Sequence, residues 1–159
     1  MLQFDLPEFD PYDLTPWIVL MARMRAPQRT TARLTGESLV TVQQIYHSVS
    51  GAPRDDALPD ETPLEWFTAT ANRRYHGAVI ASFFGQVREI YPDVVACAAV
   101  HCYCHYSRLV AGGDDDGAGR LLDLNGDDTS VLISFTRSID LLGHLFGINV
   151  CHANAPSLT

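Results

Sequence analysis

From Leu20 to Phe67 the chain reads as helix, tight turn, helix, loop and a further capped helix, and that punctuation leaves little room for a sheet. Thr15-Pro16 marks the first start: a side-chain oxygen to cap, then a proline at the first helical position, where its missing N–H costs nothing. This helix ends before Pro27, because the residue preceding a proline is pushed out of the helical region. A short second helix covers Arg29 to Leu34, and Thr35-Gly36 turns the chain. A third helix from about Glu37 to Val49 places Leu39, Val42, Tyr46 and Val49 on one face, with Gly51 just past its end. Residues 52–61 form a loop. Thr62-Pro63-Leu64-Glu65 has the form of a capping box and opens a helix towards His76, which Gly77 either ends or lets run on to about Ile90.

The second half continues in the same manner. Pro92 opens a helix that is apolar to Val110, and residues 111–120 form a solvated acidic loop. Asp127 or Asp128 caps a last helix ending near Gly147, with Val131, Phe135, Ile139, Leu142 and Phe146 as its buried stripe. No stretch alternates with the two-residue period of a strand, and no internal repeat is evident. The expected fold is all-α, a compact bundle of about six helices with a helix-turn-helix-like N-terminal part. Residues 1–14 are an N-terminal arm, 15–152 a single helical domain and 153–159 a tail.

Charge gives that N-terminal part its interest. The net charge is −8, yet Arg23, Arg25, Arg29 and Arg33 follow one another with no acid between Leu14 and Gly36. An overall charge of this sign argues against a general polyanion binder, but not against a local basic patch or a partner that supplies more positive surface. The four arginines are candidates for phosphate contacts. Thr35, Ser38 and Thr41 lie at the start of a candidate recognition helix, where such proteins touch bases. The plainer alternative is a solvated face whose arginines pair with Asp5, Glu8, Asp10 or Asp13.

The remaining constellations are weaker. Cysteines sit at 97, 102, 104 and 151, to be read as thiols or metal ligands in a reducing compartment. Cys97, His101 and Cys104 or His105 share a helix face with a spacing that suits a metal, although cysteine is as often a small buried hydrophobe. Cys151-His152 has no partner pair after it. There is no GxSxG, Walker loop, HExxH or GxGxxG, so no enzyme is expected. Asp140, in the apolar last helix, is expected at the surface or paired with Arg137. The acidic start MLQFDLPEFDPYD is not a secretory signal and no apolar run has membrane length, so the expected location is the cytoplasm. Eleven arginines and no lysine fit the coding bias of a GC-rich bacterial genome.

Motif order adds a resemblance. Ala22-Arg23-Met24-Arg25 is followed by Gln44-Ile45-Tyr46-His47-Ser48-Val49-Ser50-Gly51, then Leu58-Pro59, Glu65-Trp66-Phe67 and His76-Gly77-Ala78. His105-Tyr106-Ser107-Arg108-Leu109 and Ser134-Phe135-Thr136-Arg137 come next. In order and spacing, over roughly residues 17–152, this resembles the FlhC subunit of the bacterial flagellar master transcriptional activator. The resemblance implies a subunit that pairs with an FlhD-like protein, binds promoter DNA within that complex and recruits RNA polymerase to activate flagellar genes. It also implies a zinc site, of which only Cys151 falls in place. The other zinc cysteines and the basic tail are absent, so no cofactor is expected in this chain. The segment Leu34–Tyr46 holds no basic residue, unlike the family's recognition helix. Two further readings follow: a truncated paralogue that binds the FlhD-like partner without DNA, and a metal or thiol sensor built on Cys97, His101 and Cys104. The surplus of apolar faces after residue 78 suggests that stable solubility requires a partner.

Overall fold

A helix that is apolar on every side has to be wrapped by others, and here that helix is the one between Val95 and Ala111. A computed structural model describes residues 10–55, 57, 60–111 and 132–148. Among them are seven helices and no strand: α1 Leu14–Arg23, α2 Gln28–Thr35, α3 Leu39–His47, α4 Leu64–Thr68, α5 Ala71–Ile90, α6 Val95–Ala111 and α7 Phe135–Phe146. No described helix is long and apolar enough to cross a membrane. The all-α expectation holds, with one helix more than anticipated.

Helix α6 buries Ala96 through Tyr103 and then Tyr106. It packs on α5 along most of its length and also meets α1, α2 and α7. A four-residue link, Tyr91 to Val94, joins α5 to α6, which forces the two to run antiparallel. Trp17, Met21, Phe67, Ile80, Phe84, Phe135 and Leu142 complete the main core. Gly77 lets α5 approach α7, where a β-carbon would already touch the Leu141 side chain at 3.5 Å. A smaller core of Ile18, Ala22, Val42, Tyr46, Val49 and Ala52 joins α1 to α3. Helices α1–α3 thus form a unit with its own apolar centre, resting on α6 through α1 and α2.

Several local readings need correction. Asp13, not Thr15, caps α1: its carboxylate accepts the Thr15 amide, and the helix already includes Leu14. The third helix starts after Ser38 rather than at Glu37 and stops at His47. Thr62 is not a cap. Its backbone N–H donates to Asp140 at 2.9 Å, and its carbonyl accepts from His144 Nε2 at 2.8 Å. The helix after it is only five residues long, and α5 restarts after Thr70, whose hydroxyl accepts the Arg73 amide. Asp140 is therefore neither exposed nor paired with Arg137. Burial raises its pKa, partly offset by the Thr62 hydrogen bonds, and Glu61 pushes the same way. Arg137 instead lies over the Trp66 ring at 4.1 Å, with Arg73 over the same ring at 3.9 Å, which fixes the short α4 to α5 and α7. Helix α6 starts at Val95, three residues after Pro92. The cap of the last helix is Ser134, whose hydroxyl accepts the Arg137 amide. Asp127, Asp128 and Val131 lie outside the described residues. In that helix Phe135, Ile139 and Leu142 are buried as expected, but Phe146 is 44% exposed.

Candidate nucleic-acid interface

Three residues, Gly36 to Ser38, separate α2 from α3, and each has a visible reason. Gly36 ends α2 in the left-handed region, φ 78°, while its N–H donates to Ala32 O at 2.8 Å. A side chain there would be strained by the backbone angle alone. The Thr35 hydroxyl donates to Thr31 O at 2.8 Å and accepts the Glu37 amide at 3.2 Å. Ser38 caps α3, accepting the Thr41 amide at 3.2 Å and donating to the Thr41 hydroxyl at 2.9 Å. Below the turn, the Tyr46 hydroxyl donates to Ala26 O at 2.8 Å and receives the Thr31 hydroxyl at 2.6 Å. Burial pushes that phenol up to about 12, so it stays protonated and keeps α2 tied to α3. Gln28 adds a tie from its Nε2 to Pro53 O at 3.0 Å. The result is a helix–turn–helix held from inside by buried hydrogen bonds.

The arginines sit around it. Arg23, Arg25 and Arg29 are exposed and Arg33 is half-buried. Arg23 ends α1, while Arg29 and Arg33 occupy one face of α2 a turn apart. Arg25 is the residue the sequence could not mark as unusual. Its φ is +63°, the left-handed region, at the position after a helix where glycine is normal. Its N–H donates to Ala22 O, and the Ala26 N–H reaches back to Met21 O, both at 3.0 Å. A non-glycine side chain there costs about 1–2 kcal/mol. Arg25→Gly is therefore expected to raise the urea unfolding free energy by about 0.5–1 kcal/mol, since relief of strain outweighs the entropy glycine adds to the unfolded chain. Unchanged or lower stability would show that the conformation carries no strain.

Five further arginines have contacts within the fold. Arg54 donates to Tyr46 O, Arg74 to Thr68 O and Arg88 to Pro92 O, and Arg73 and Arg137 lie over Trp66. Of the acids offered as partners for the basic stretch, Asp10 accepts the Tyr12 amide and Asp13 caps α1. Asp5 and Glu8 lie outside the described residues.

The residues expected at the DNA surface thus divide. Arg23 ends α1, Arg25 lies in the link after it and Arg29 and Arg33 lie on α2, while the hydroxyls of Thr35, Ser38 and Thr41 take part in the turn and cap. What the sequence reading passed over is the outer stripe of α3. Val40, Gln44 and His47 are all exposed, and spacings of four and three put them on one helix face, with Glu37 exposed in the turn before it.

The cysteine and histidine segment assembles differently. Cys97 and Cys102 are buried, and Cys102 donates to Ile80 O at 3.2 Å. Burial pushes the Cys97 thiol up to about 12 and Cys104 up to about 11, which removes thiolate character. His101 stacks on Tyr91 at 5.0 Å and tilts against Trp17 at 5.2 Å. His105 instead packs on Phe83. Among the described residues no three histidine, cysteine, aspartate or glutamate side chains are grouped to hold a metal. Cys151 lies outside the described residues.

The described residues form an all-helical bundle in which α2, a three-residue turn and α3 follow one another after an arginine-rich stretch. No family model, no curated protein and no solved structure matches the chain.

Proposed function

We propose that this chain is the DNA-contacting subunit of a transcriptional regulator, FlhC-like in the order of its motifs, which works in complex with an FlhD-like protein and through it with RNA polymerase. One observation carries the reading: the three-residue turn between α2 and α3, with Gly36 in the left-handed region, directly follows a stretch that carries Arg23, Arg25, Arg29 and Arg33 and no acid. Helix α3 is the recognition helix and the arginines grip the phosphates on either side. The partner reading draws on the motif order and on the net charge of −8, which opposes approach to DNA by the isolated chain. It also draws on apolar side chains left at the surface: Leu145 is 49% exposed and Phe146 44%, adjacent at the end of α7. Activation of flagellar genes and residence in the cytoplasm belong to the same reading.

The test uses the chain co-purified with an FlhD-like helical partner and promoter DNA across a salt series. Each arginine on a phosphate contributes about one unit to the slope of log K against log salt. Arg29→Ala combined with Arg33→Ala is expected to flatten that slope by about two units and to weaken binding on every sequence alike. A variant complex with unchanged affinity and slope would reject this surface, and the chain would then be a paralogue that occupies the FlhD-like partner without binding DNA.

A further inference from the structure

The exposed stripe of α3 has an unusual chemistry for a surface. Val40 is 62% exposed, a bare isopropyl group on the first turn of the helix. Gln44 follows one turn later on the same side, and Glu37 precedes it in the turn. Between Gly36 and His47 there is no arginine and no lysine. In the major groove, guanine presents two acceptors, N7 and O6, which arginine or lysine reads by donating. This helix has neither. Adenine presents an acceptor beside an amino donor, which a glutamine amide matches with both of its ends, and thymine presents a methyl group, which an apolar side chain covers. Gln44 and Val40 are those two complements.

We infer that α3 reads A·T base pairs, Gln44 by a bidentate contact to adenine and Val40 by contact with a thymine methyl. The inference rests on the reading of α3 as a recognition helix. Four residues of helix separate the two side chains by about 6 Å along the axis, so they address bases within two steps of each other. Glu37, in the turn before α3, is an acceptor that opposes the acceptor edge of guanine but suits the amino group of adenine and of cytosine alike, so the A·T preference rests on Gln44 and Val40. Non-specific grip then comes from the arginines and sequence preference from an uncharged face, which divides the two properties between separate side chains.

The experiment selects duplexes from a randomised library with the co-purified complex of the full chain and its FlhD-like partner. The expected sites carry A·T pairs at two positions within two steps of each other. Gln44→Ala is expected to lose about tenfold discrimination for adenine at one of them. Replacing the contacted thymine by deoxyuridine, which removes only the methyl, is expected to weaken binding by the wild-type complex severalfold and to leave Val40→Ala unaffected. Both positions are exposed, so the variants fold. Salt-dependent binding that weakens in the Arg29/Arg33 variant but shows a G·C preference, or no preference, at the positions addressed by residues 40 and 44 overturns the inference and leaves the DNA-binding reading standing. Complete absence of duplex binding overturns both.

Discussion

Tyr106→Phe is expected to cost about 3 kcal/mol of stability, although it removes a single oxygen. The Tyr106 hydroxyl accepts the Ile133 N–H at 2.8 Å and donates to His76 Nδ1, also at 2.8 Å. All three residues are buried, Tyr106 completely. Phenylalanine keeps the ring packing on Tyr103, so no large cavity term enters. What remains is a buried amide and a buried imidazole nitrogen, each losing its partner, at about 1–3 kcal/mol apiece. The pairing also joins three elements far apart in sequence: α5, α6 and the segment that leads into α7. Tyr103→Phe is the internal comparison. That hydroxyl donates to Ile133 O, and a carbonyl left with one vacant lone pair is less costly than an orphaned N–H, so the loss should be smaller. Urea unfolding of both variants checks the pair. A Tyr106→Phe protein within about 0.5 kcal/mol of wild type, the range of ordinary surface substitutions, would mean that the hydroxyl does not bridge these groups.

That bridge shows where legibility in the sequence ended. Local signals read well: Gly36 as the turn, Gly51 beyond α3 with φ 82°, Val42, Tyr46 and Val49 as the buried face. They read well because backbone angle, cap and three-to-four residue spacing are settled within one turn of chain. Thr62-Pro63-Leu64-Glu65 failed for the opposite reason. Its pattern was a sound capping box, but Thr62 found a partner in Asp140, 78 residues away, and a tertiary bond displaced a local one. Asp127 and Asp128 look like a helix start because an acidic pair suits a cap, but a serine a few residues later offers the same geometry and Ser134 is the cap of α7. In the candidate interface the arginines were visible as a charge pattern. The strained Arg25 was not, since arginine carries no sequence mark of a left-handed backbone. Thr35, Ser38 and Thr41 are candidates for DNA contact because hydroxyls at a helix start serve both bases and caps. Only the fold shows that these three hydroxyls take part in the turn and cap, and that Val40 and Gln44 are exposed beside them.

The second large effect is loss of stability in mild acid. Three histidines of the α5–α6 layer are held neutral. Burial lowers the pKa of His76, while burial and the charge of His105 bring His101 down to about 4. His105 is lowered by burial and by Arg108. Each is a base whose folded pKa lies below the ordinary value of 6.5, so the unfolded chain binds more protons than the folded one as pH falls. The stability they confer is complete above 6.5 and drains away as pH falls below it, for His101 down towards about 4. For His101, 4% exposed, the drop corresponds to about 3 kcal/mol. His76 adds a structural reason: its Nδ1 pairs with the Tyr106 hydroxyl, and a proton on that nitrogen forces the pair to reverse, so that the buried phenol proton loses its acceptor. Asp140 works in the other direction. Its raised pKa means that the folded form gains from protonation, which softens the loss at the acid end without cancelling three histidines. On the alkaline side, thiols held protonated up to about 11 and 12 lose their advantage as pH rises above 9.0, so maximal stability falls between neutrality and that value. Urea midpoints from pH 8 down to about 4 should show a slope approaching one to two protons in the middle of the range. His101→Phe, which keeps an aromatic ring between Tyr91 and Trp17, should reduce that slope by up to one proton. A flat profile between 6.5 and about 4, or a His101→Phe profile parallel to wild type, would place the charged imidazoles in water rather than in the core described here.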